Sequence, residues 1–167
     1  MVEITLPIVF QFLQTAGLLV GIIYYITVMR NQSKAREAQF FLQLNQVFQD
    51  KEAISDWLSV IEMRFKDYDD FIENYDSSSG NSELYLQRSR VWRMLNMCGH
   101  LMKRGLVSPE TVYDSLSGAL VVSLWENHGP IIIELRKDLN IPLHLEGMEY
   151  CAEAMKKVEE NRLQQIS

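Results

Sequence analysis

The sequence predicts an all-α protein in which a single N-terminal transmembrane helix is followed by a compact cytoplasmic helical bundle. Three observations indicate this class. Residues 7–29 form an uncharged apolar run, the later chain carries apolar residues at helical spacing, and no stretch alternates apolar and polar residues as a strand does. We expect a transmembrane anchor over residues 1–30, the bundle over 31–163 and a short tail over 164–167.

The apolar run, PIVFQFLQTAGLLVGIIYYITVM, contains 23 residues without a charge. At about 1.5 Å per residue, a helix of this length spans roughly 34 Å and covers a bilayer core of about 30 Å. A helix buried in a soluble protein would show a polar stripe, and a signal peptide would begin with basic residues and end at a small-x-small cleavage site. The run shows neither feature, so a membrane-spanning helix is favoured over both alternatives.

Five side chains near the C-terminal end of the run are expected to hold it at the membrane interface. They are two tyrosines, whose amphipathic rings suit the headgroup region, and three cations, which suit an anionic inner leaflet: Tyr24, Tyr25, Arg30, Lys34 and Arg36. Glu3 precedes the run, so the positive-inside rule predicts an external N-terminus. The lipid bilayer is therefore an expected partner, and we expect residues 30–167 on the cytoplasmic side of the inner cell membrane.

Gly17 and Gly21 form a GxxxG motif inside the run. Two glycines four residues apart lie on one helix face and allow a second backbone to approach closely. Gln11 and Gln14 lie one turn apart and could form hydrogen bonds across the same contact, or they could lie near the outer interface. We expect a membrane-protein partner or a homo-oligomer to use this face, with simple lipid exposure of the glycines as the alternative.

Apolar spacing and turn residues divide the later chain into six predicted helices. Their approximate ranges are 31–49, which continues the apolar helix, 51–66, 83–104, 109–127, 131–139 and 145–163. Residues 67–82, DYDDFIENYDSSSGNS, are acidic and end in Ser, Gly and Asn, so we expect an exposed acidic loop there. Gly105 predicts a helix end, and Gly129-Pro130 predicts an interruption.

The same spacing predicts which side chains face the core. In the helix over 83–104 these are Leu84, Val91, Leu95, Cys98 and Met102, and in the helix over 51–66 they are Ile54, Trp57, Leu58 and Ile61. Ser108 is expected to cap the following helix, with Pro109 at its first position. Cys98 and Cys151 lie outside any CxxC pattern, so we expect two buried thiols, with one disulfide as the alternative.

The body of the protein is acidic. After Arg36 it carries 13 basic and 21 acidic residues, a net charge of −8. Phosphate binding needs a basic face, so this balance excludes nucleic acid as the main partner. Arg88, Arg90 and Arg93 form only a small basic patch beside acidic neighbours, which is typical of a solvated helix face.

The sequence contains no catalytic, cofactor-binding or metal-binding motif. His100, His128 and His144 are isolated, and no HExxH pattern is present. The acidic segment lacks the further ligand and the glycine of a calcium loop, because Phe71 and Ile72 stand there. We therefore expect no enzyme activity, no cofactor and no metal.

One group of residues could still line a pocket. A tryptophan, a carboxylate and an imidazole lie close together in the sequence near a helix end: Trp125, Glu126 and His128. Trp92 and Arg136 are two further candidates for the same pocket. Such residues more often pack and cap a helix. Arg136 could pair with Glu126 across the expected break at Gly129-Pro130.

Two long segments resemble a widespread family of small prokaryotic proteins of unknown function. They are RVWRMLNMCGHLMKRGLVSPETVYDSL and ALVVSLWENHGPIIIELRKDLNIPLHLEGMEY, and the matching features are Leu95-Asn96, Arg104-Gly105-Leu106, Trp125-Glu126, and Ile133 with Arg136. The similarity extends from the apolar run to about Met155. It implies one N-terminal membrane helix that carries a cytoplasmic helical domain, and it supplies no activity that could be assigned to this chain.

The sequence therefore favours a single-span, membrane-anchored interaction module that acts as a tether or as an accessory subunit of a membrane complex. The alternative is an unrecognised enzyme or ligand sensor with a pocket near Trp125, Glu126 and His128. A membrane-disrupting effector is disfavoured, because one span would need several copies to form a pore and the run is not markedly polar on any face.

Overall fold

A computed structural model of the protein describes residues 6–77 and 79–166, except for the side chains of residues 44, 45, 47–49 and 166. All the regular secondary structure in these residues is helical. Seven helices and no strand lie in these ranges, so the all-α class is confirmed. The helices are α1 Leu6–Gln49, α2 Lys51–Glu62, α3 Tyr68–Tyr75, α4 Ser82–Lys103, α5 Pro109–Leu116, α6 Gly118–Asp138 and α7 Glu146–Ile166. Glu3, on which the predicted orientation partly depends, lies outside the described residues.

The N-terminal helix α1 continues from the apolar run into the polar residues after it. Its segment Leu6–Gln43 is long and apolar enough to cross a membrane, and none of its most apolar window is buried by the rest of the chain. The chain divides into two compact units between Gln39 and Phe40, later than the expected boundary after residue 30. Residues 31–39 have no buried side chain, whereas Phe40 packs against the core of the second unit.

The second unit is a helical bundle organised around α4, which contacts α2 and α7, while α7 also contacts α5 and α6. Four of the predicted inward residues of α4 are buried: Val91, Leu95, Cys98 and Met102. Leu84 is partly buried and packs against the same core. The inward face of α4 is therefore confirmed.

Two glycines allow α4 and α7 to approach closely. A Cβ added at Gly99 would stand 1.7 Å from the carbonyl oxygen of Gly147. The Oδ1 atom of Asn96 accepts a hydrogen bond of 2.9 Å from the backbone N–H of Gly147. Only glycine fits at position 99 without separating the two helices.

The end of α4 and the start of α5 follow the predicted signals. Gly105 has φ 65°, its N–H donates to the carbonyl of Met102, and the N–H of Leu106 donates to the carbonyl of Leu101. These two bonds form a Schellman motif. Ser108 then caps α5 by accepting a hydrogen bond from the N–H of Thr111.

The expected exposed loop over 67–82 is wrong in its first half, because residues 68–75 form α3. Asp67 caps this helix by accepting a hydrogen bond of 3.0 Å from the N–H of Asp70. Acidic residues in a first turn also interact favourably with the helix dipole. Phe71 is fully buried in the core. The acidic character of the segment masked a short amphipathic helix.

The expected interruption at Gly129-Pro130 is also wrong, because α6 continues through it. Proline removes one backbone donor, which here would bond the carbonyl of Glu126. Pro130 and Glu126 are both exposed, so water can satisfy that carbonyl. The chain instead breaks at Ser117, whose φ of 54° is left-handed and separates α5 from α6.

Two further boundaries differ from the expected ones. The helix expected over 51–66 ends at Glu62, where Nη1 of Arg64 donates to the carbonyls of Ile61 and Met63 at 2.7 and 2.9 Å. At the other end of the chain, α7 continues to Ile166, so the expected tail over 164–167 is helical through residue 166.

Candidate functional site

Gly17 and Gly21 lie on α1 with open space beside them. A Cβ added at either position would meet no other part of the described chain within 4 Å. The hydroxyl of Thr15 donates to the carbonyl of Gln11 at 2.9 Å, so this nearby polar group is satisfied within its own helix. No other part of the described chain therefore covers the face that carries Gly17 and Gly21.

The five predicted interface residues are all exposed and follow one another along α1: Tyr24, Tyr25, Arg30, Lys34 and Arg36. From the first to the last, a helix rises roughly 18 Å. This length exceeds the headgroup layer on one side of a bilayer, about 5–8 Å, so the tyrosines and the last cations would lie at different depths. Their role at a membrane interface stays a prediction.

Two of the five pocket candidates, Trp92 and His128, contact each other inside the bundle. Their ring centroids lie 5.6 Å apart at 84°, an edge-to-face arrangement. The His128 ring is fully buried, and its Nε2 donates to the carbonyl of Val60 at 3.3 Å. Burial, with a smaller contribution from the charge of Arg88, lowers the pKa of His128 to about 4. His128 is therefore neutral, and its Nδ1 is an acceptor that has no partner among the described residues.

The other three pocket candidates do not join this pair. Trp125 is half-buried and lies against Gly129, whereas Glu126 is exposed. Nη1 of Arg136 donates to Glu149 at 2.8 Å, so the suggested pairing of Arg136 with Glu126 is wrong. The continuous path of α6 places Glu126 on its exposed side, out of reach of that guanidinium.

Arg88, which was expected on a solvated helix face, is buried. Its guanidinium carbon lies 4.6 Å from the ring centroids of both Phe71 and Trp92 and 5.1 Å from that of Tyr85. Its Nη2 lies 3.5 Å from Oδ1 of Asp76, while Nε and Nη1 are buried and have no hydrogen-bond partner within residues 6–77 and 79–166. Burial lowers the pKa of Arg88. The i, i+3, i+7 spacing of Tyr85, Arg88 and Trp92 is the sequence signal that could have revealed this cluster.

Arg90 is likewise part of a specific contact. It forms two parallel hydrogen bonds to the carboxylate of Asp56, with Nε–Oδ2 2.5 Å and Nη2–Oδ1 2.7 Å. Asp56 is 4% exposed. Such a two-pronged pair is among the stronger polar contacts in proteins, and here it joins α2 to α4. Arg93 is exposed as expected, and so is the Arg90 side chain, although its partner Asp56 is buried.

The two cysteines are free and buried, which confirms the thiol interpretation over a disulfide. Burial raises the pKa of Cys98 to about 11 and raises that of Cys151 still further. Thiols of this kind react slowly, because the thiolate is the reactive form. Within residues 6–77 and 79–166, no group of three His, Cys, Asp or Glu side chains is arranged to hold a metal ion.

A surface groove of about 350 Å³ lies beside His128, between α2 and α6. Its lining comprises four polar and four apolar residues: Arg64, Ser123, Asn127, His128, Val60, Ile61, Leu120 and Leu124. Of the five pocket candidates, His128 lines it. Arg64, Ser123 and Asn127 were not singled out by sequence, because their proximity depends on how α2 packs beside α6.

One comparison with known proteins gives a match. A family model described as "Domain of unknown function (DUF4760)" matches residues 11–155, from within the apolar helix to within α7. No curated protein and no solved structure matches the chain.

Proposed function

The chain belongs to the DUF4760 family, and we propose that this member is a single-span, membrane-anchored interaction module. In this role α1 inserts in the inner membrane, and the bundle acts on the cytoplasmic side as a tether or as an accessory subunit of a membrane complex. The module performs no catalysis of its own.

The exposed apolar helix carries this proposal. From Leu6 to Met29 the large apolar side chains of α1 are exposed to solvent. Each such side chain gains about 1.5–3 kcal/mol when it leaves water. Their sum far exceeds the roughly 5–15 kcal/mol that stabilises a whole domain, so a lipid or protein environment must cover the helix. Its length and lack of charge favour the bilayer.

The dispersal of the pocket candidates supports a tether over the alternative of an enzyme. Trp125 packs against Gly129, Glu126 is exposed to solvent, and Arg136 forms an ion pair with Glu149. His128 is held neutral by burial and bonded to Val60. A catalytic constellation would bring such groups together around one reacting atom.

Orientation is tested by cysteine labelling in intact cells. We would introduce Val2→Cys and Ser33→Cys separately in the full chain, where the native thiols are buried. A membrane-impermeant maleimide should label position 2 in intact cells and position 33 only after permeabilisation, since the cations predict a cytoplasmic position for Ser33. The reverse pattern would contradict the proposed orientation, and labelling of both sites in intact cells would contradict membrane insertion.

The interaction role is tested at the GxxxG face. Replacing both Gly17 and Gly21 by isoleucine adds bulk where a partner backbone would approach. We expect association in the membrane to weaken by about 1–2 kcal/mol, roughly tenfold, in a membrane two-hybrid or energy-transfer assay. The matched control is Leu19→Phe with Ile23→Phe, which adds bulk to the opposite face. Equal association of the double isoleucine variant and the wild type would remove Gly17 and Gly21 from the proposal.

A further inference from the structure

The groove between α2 and α6 has the size of a small-molecule site. Its volume is about 350 Å³, and ligand pockets occupy about 300–1,000 Å³. The hydrogen bond from His128 of α6 to the carbonyl of Val60 of α2 joins its two walls. All of its lining residues belong to the bundle, so ligand binding there would be independent of the function proposed for α1.

The charge of the groove is opposite to that of the body. Arg64 is its charged lining residue, and no carboxylate lines it among the described residues. The guanidinium is fixed by the two hydrogen bonds that Nη1 donates to Ile61 and Met63. Its remaining N–H groups have no acceptor in the part of the chain that the structure describes. A fixed guanidinium with free donors is suited to bind a carboxylate.

The remaining lining divides into polar and apolar parts. Ser123 and Asn127 are exposed and make no hydrogen bond within the described chain, so both are available to a polar ligand. Ile61, Leu120 and Leu124 provide an apolar surface. Apolar walls with a few converging polar groups are typical of sites for small amphipathic molecules.

We propose that this groove binds a small organic carboxylate that carries a hydroxyl group and a short hydrocarbon portion. Arg64 binds the carboxylate, Ser123 and Asn127 form hydrogen bonds with the hydroxyl group, and the hydrocarbon lies on Leu120 and its apolar neighbours. The bundle is thereby a ligand-binding unit.

Three matched probes test the proposal by titration calorimetry on the full chain in detergent micelles, with empty micelles as the blank. The probes are 2-hydroxy-4-methylpentanoate, 4-methylpentanoate, which lacks the hydroxyl, and 2-hydroxy-4-methylpentanamide, which lacks the charge. We expect the hydroxy acid to bind most tightly. The deoxy acid should bind several-fold more weakly, and the amide at least about tenfold more weakly.

Two variants locate the binding. Arg64→Gln should weaken binding of the hydroxy acid at least about tenfold, whereas Arg104→Gln, which removes an exposed cation outside the groove, should leave it unchanged. Tryptophan fluorescence would show that each variant is folded. The proposal is overturned if none of the probes binds below about 10 mM, if the amide binds as well as the acid, or if Arg64→Gln binds like the wild type.

Discussion

Replacing Gly99 by alanine should destabilise the bundle more than any other single methyl addition at a helical glycine. The new Cβ would stand 1.7 Å from the carbonyl oxygen, 2.5 Å from the carbonyl carbon and 2.9 Å from the Cα of Gly147. All three atoms belong to the backbone of α7, so no side chain can rotate away. Only separation of α4 from α7 relieves the overlap.

The size of the effect follows from that separation. Moving the Cβ to an ordinary non-bonded distance from this oxygen requires a shift of about 1.5 Å or more, and a gap of about 1 Å already loses up to half of the dispersion energy across a contact. Overpacking of this kind costs typically about 1–3 kcal/mol and sometimes more. Alanine regains about 1 kcal/mol of helix propensity over glycine. Because the overlap is with backbone atoms, the cost lies near the top of that range, so we expect a net loss of about 2 kcal/mol and a fall in Tm of roughly 8 °C.

The three tryptophans of the chain, Trp57, Trp92 and Trp125, all lie in the bundle, so tryptophan fluorescence during urea or thermal unfolding reports on it alone. The matched control is Gly129→Ala, because its Cβ would meet a ring atom of Trp125 at 2.9 Å, and that side chain can shift. A Gly99→Ala variant that unfolds within about 0.5 kcal/mol of the wild type would refute the close approach of α4 and α7.

Three further outcomes are expected. The pKa of His128 is lowered to about 4 from 6.5, so the unfolded chain binds the proton more readily than the folded chain. The free energy of unfolding should therefore fall by up to about 3 kcal/mol as the pH falls from about 6.5 to 4. Urea midpoints should depend less on pH across this range in His128→Asn than in the wild type, and an equal dependence would contradict the lowered pKa. Arg90→Met should cost about 1.5–3 kcal/mol by leaving the buried carboxylate of Asp56 unpaired, and a double-mutant cycle with Asp56→Asn that gives no coupling would exclude the contact. Cys98 and Cys151 should not react with a thiol reagent in the native protein and should both react in urea, whereas rapid native labelling would contradict their burial.

Local signals made much of the fold predictable. Gly105 and Ser108 end α4 and begin α5 through backbone and capping bonds between near neighbours in sequence. The apolar spacing of α4 identified its buried face for the same reason, since a helix face is defined by the chain itself. The GxxxG motif and the interface cations were visible because they depend on one helix.

The rest depends on tertiary partners. Phe71 lies in an acidic segment, and its burial against Trp92 and Arg88 could not be read from that segment. Spacing placed Ile54 and Leu58 inward on α2, yet both are exposed, and Asp56 is buried instead. That carboxylate is tolerated in the interior only because Arg90 of another helix neutralises it.

The candidate groove also depends on tertiary packing, so the sequence alone could not predict it. His128 was selected because of its neighbours Trp125 and Glu126 in sequence, but the groove it lines is completed by Arg64 from the end of α2. Arg64 looked like an ordinary helix residue, since the helix was expected to continue to residue 66. Its position follows from the earlier end of α2, which its own side chain caps.

Purification of the tagged chain at native expression level, from membranes dissolved in mild detergent, tests the central claim most directly. Mass spectrometry would compare what accompanies the wild type, the Gly17→Ile/Gly21→Ile variant and the Leu19→Phe/Ile23→Phe control. A tether or accessory subunit predicts a membrane protein, or a second copy of the chain, in stoichiometric amount with the wild type and the control and strongly depleted with the glycine variant. Recovery of the chain alone and monomeric in all three preparations would contradict it.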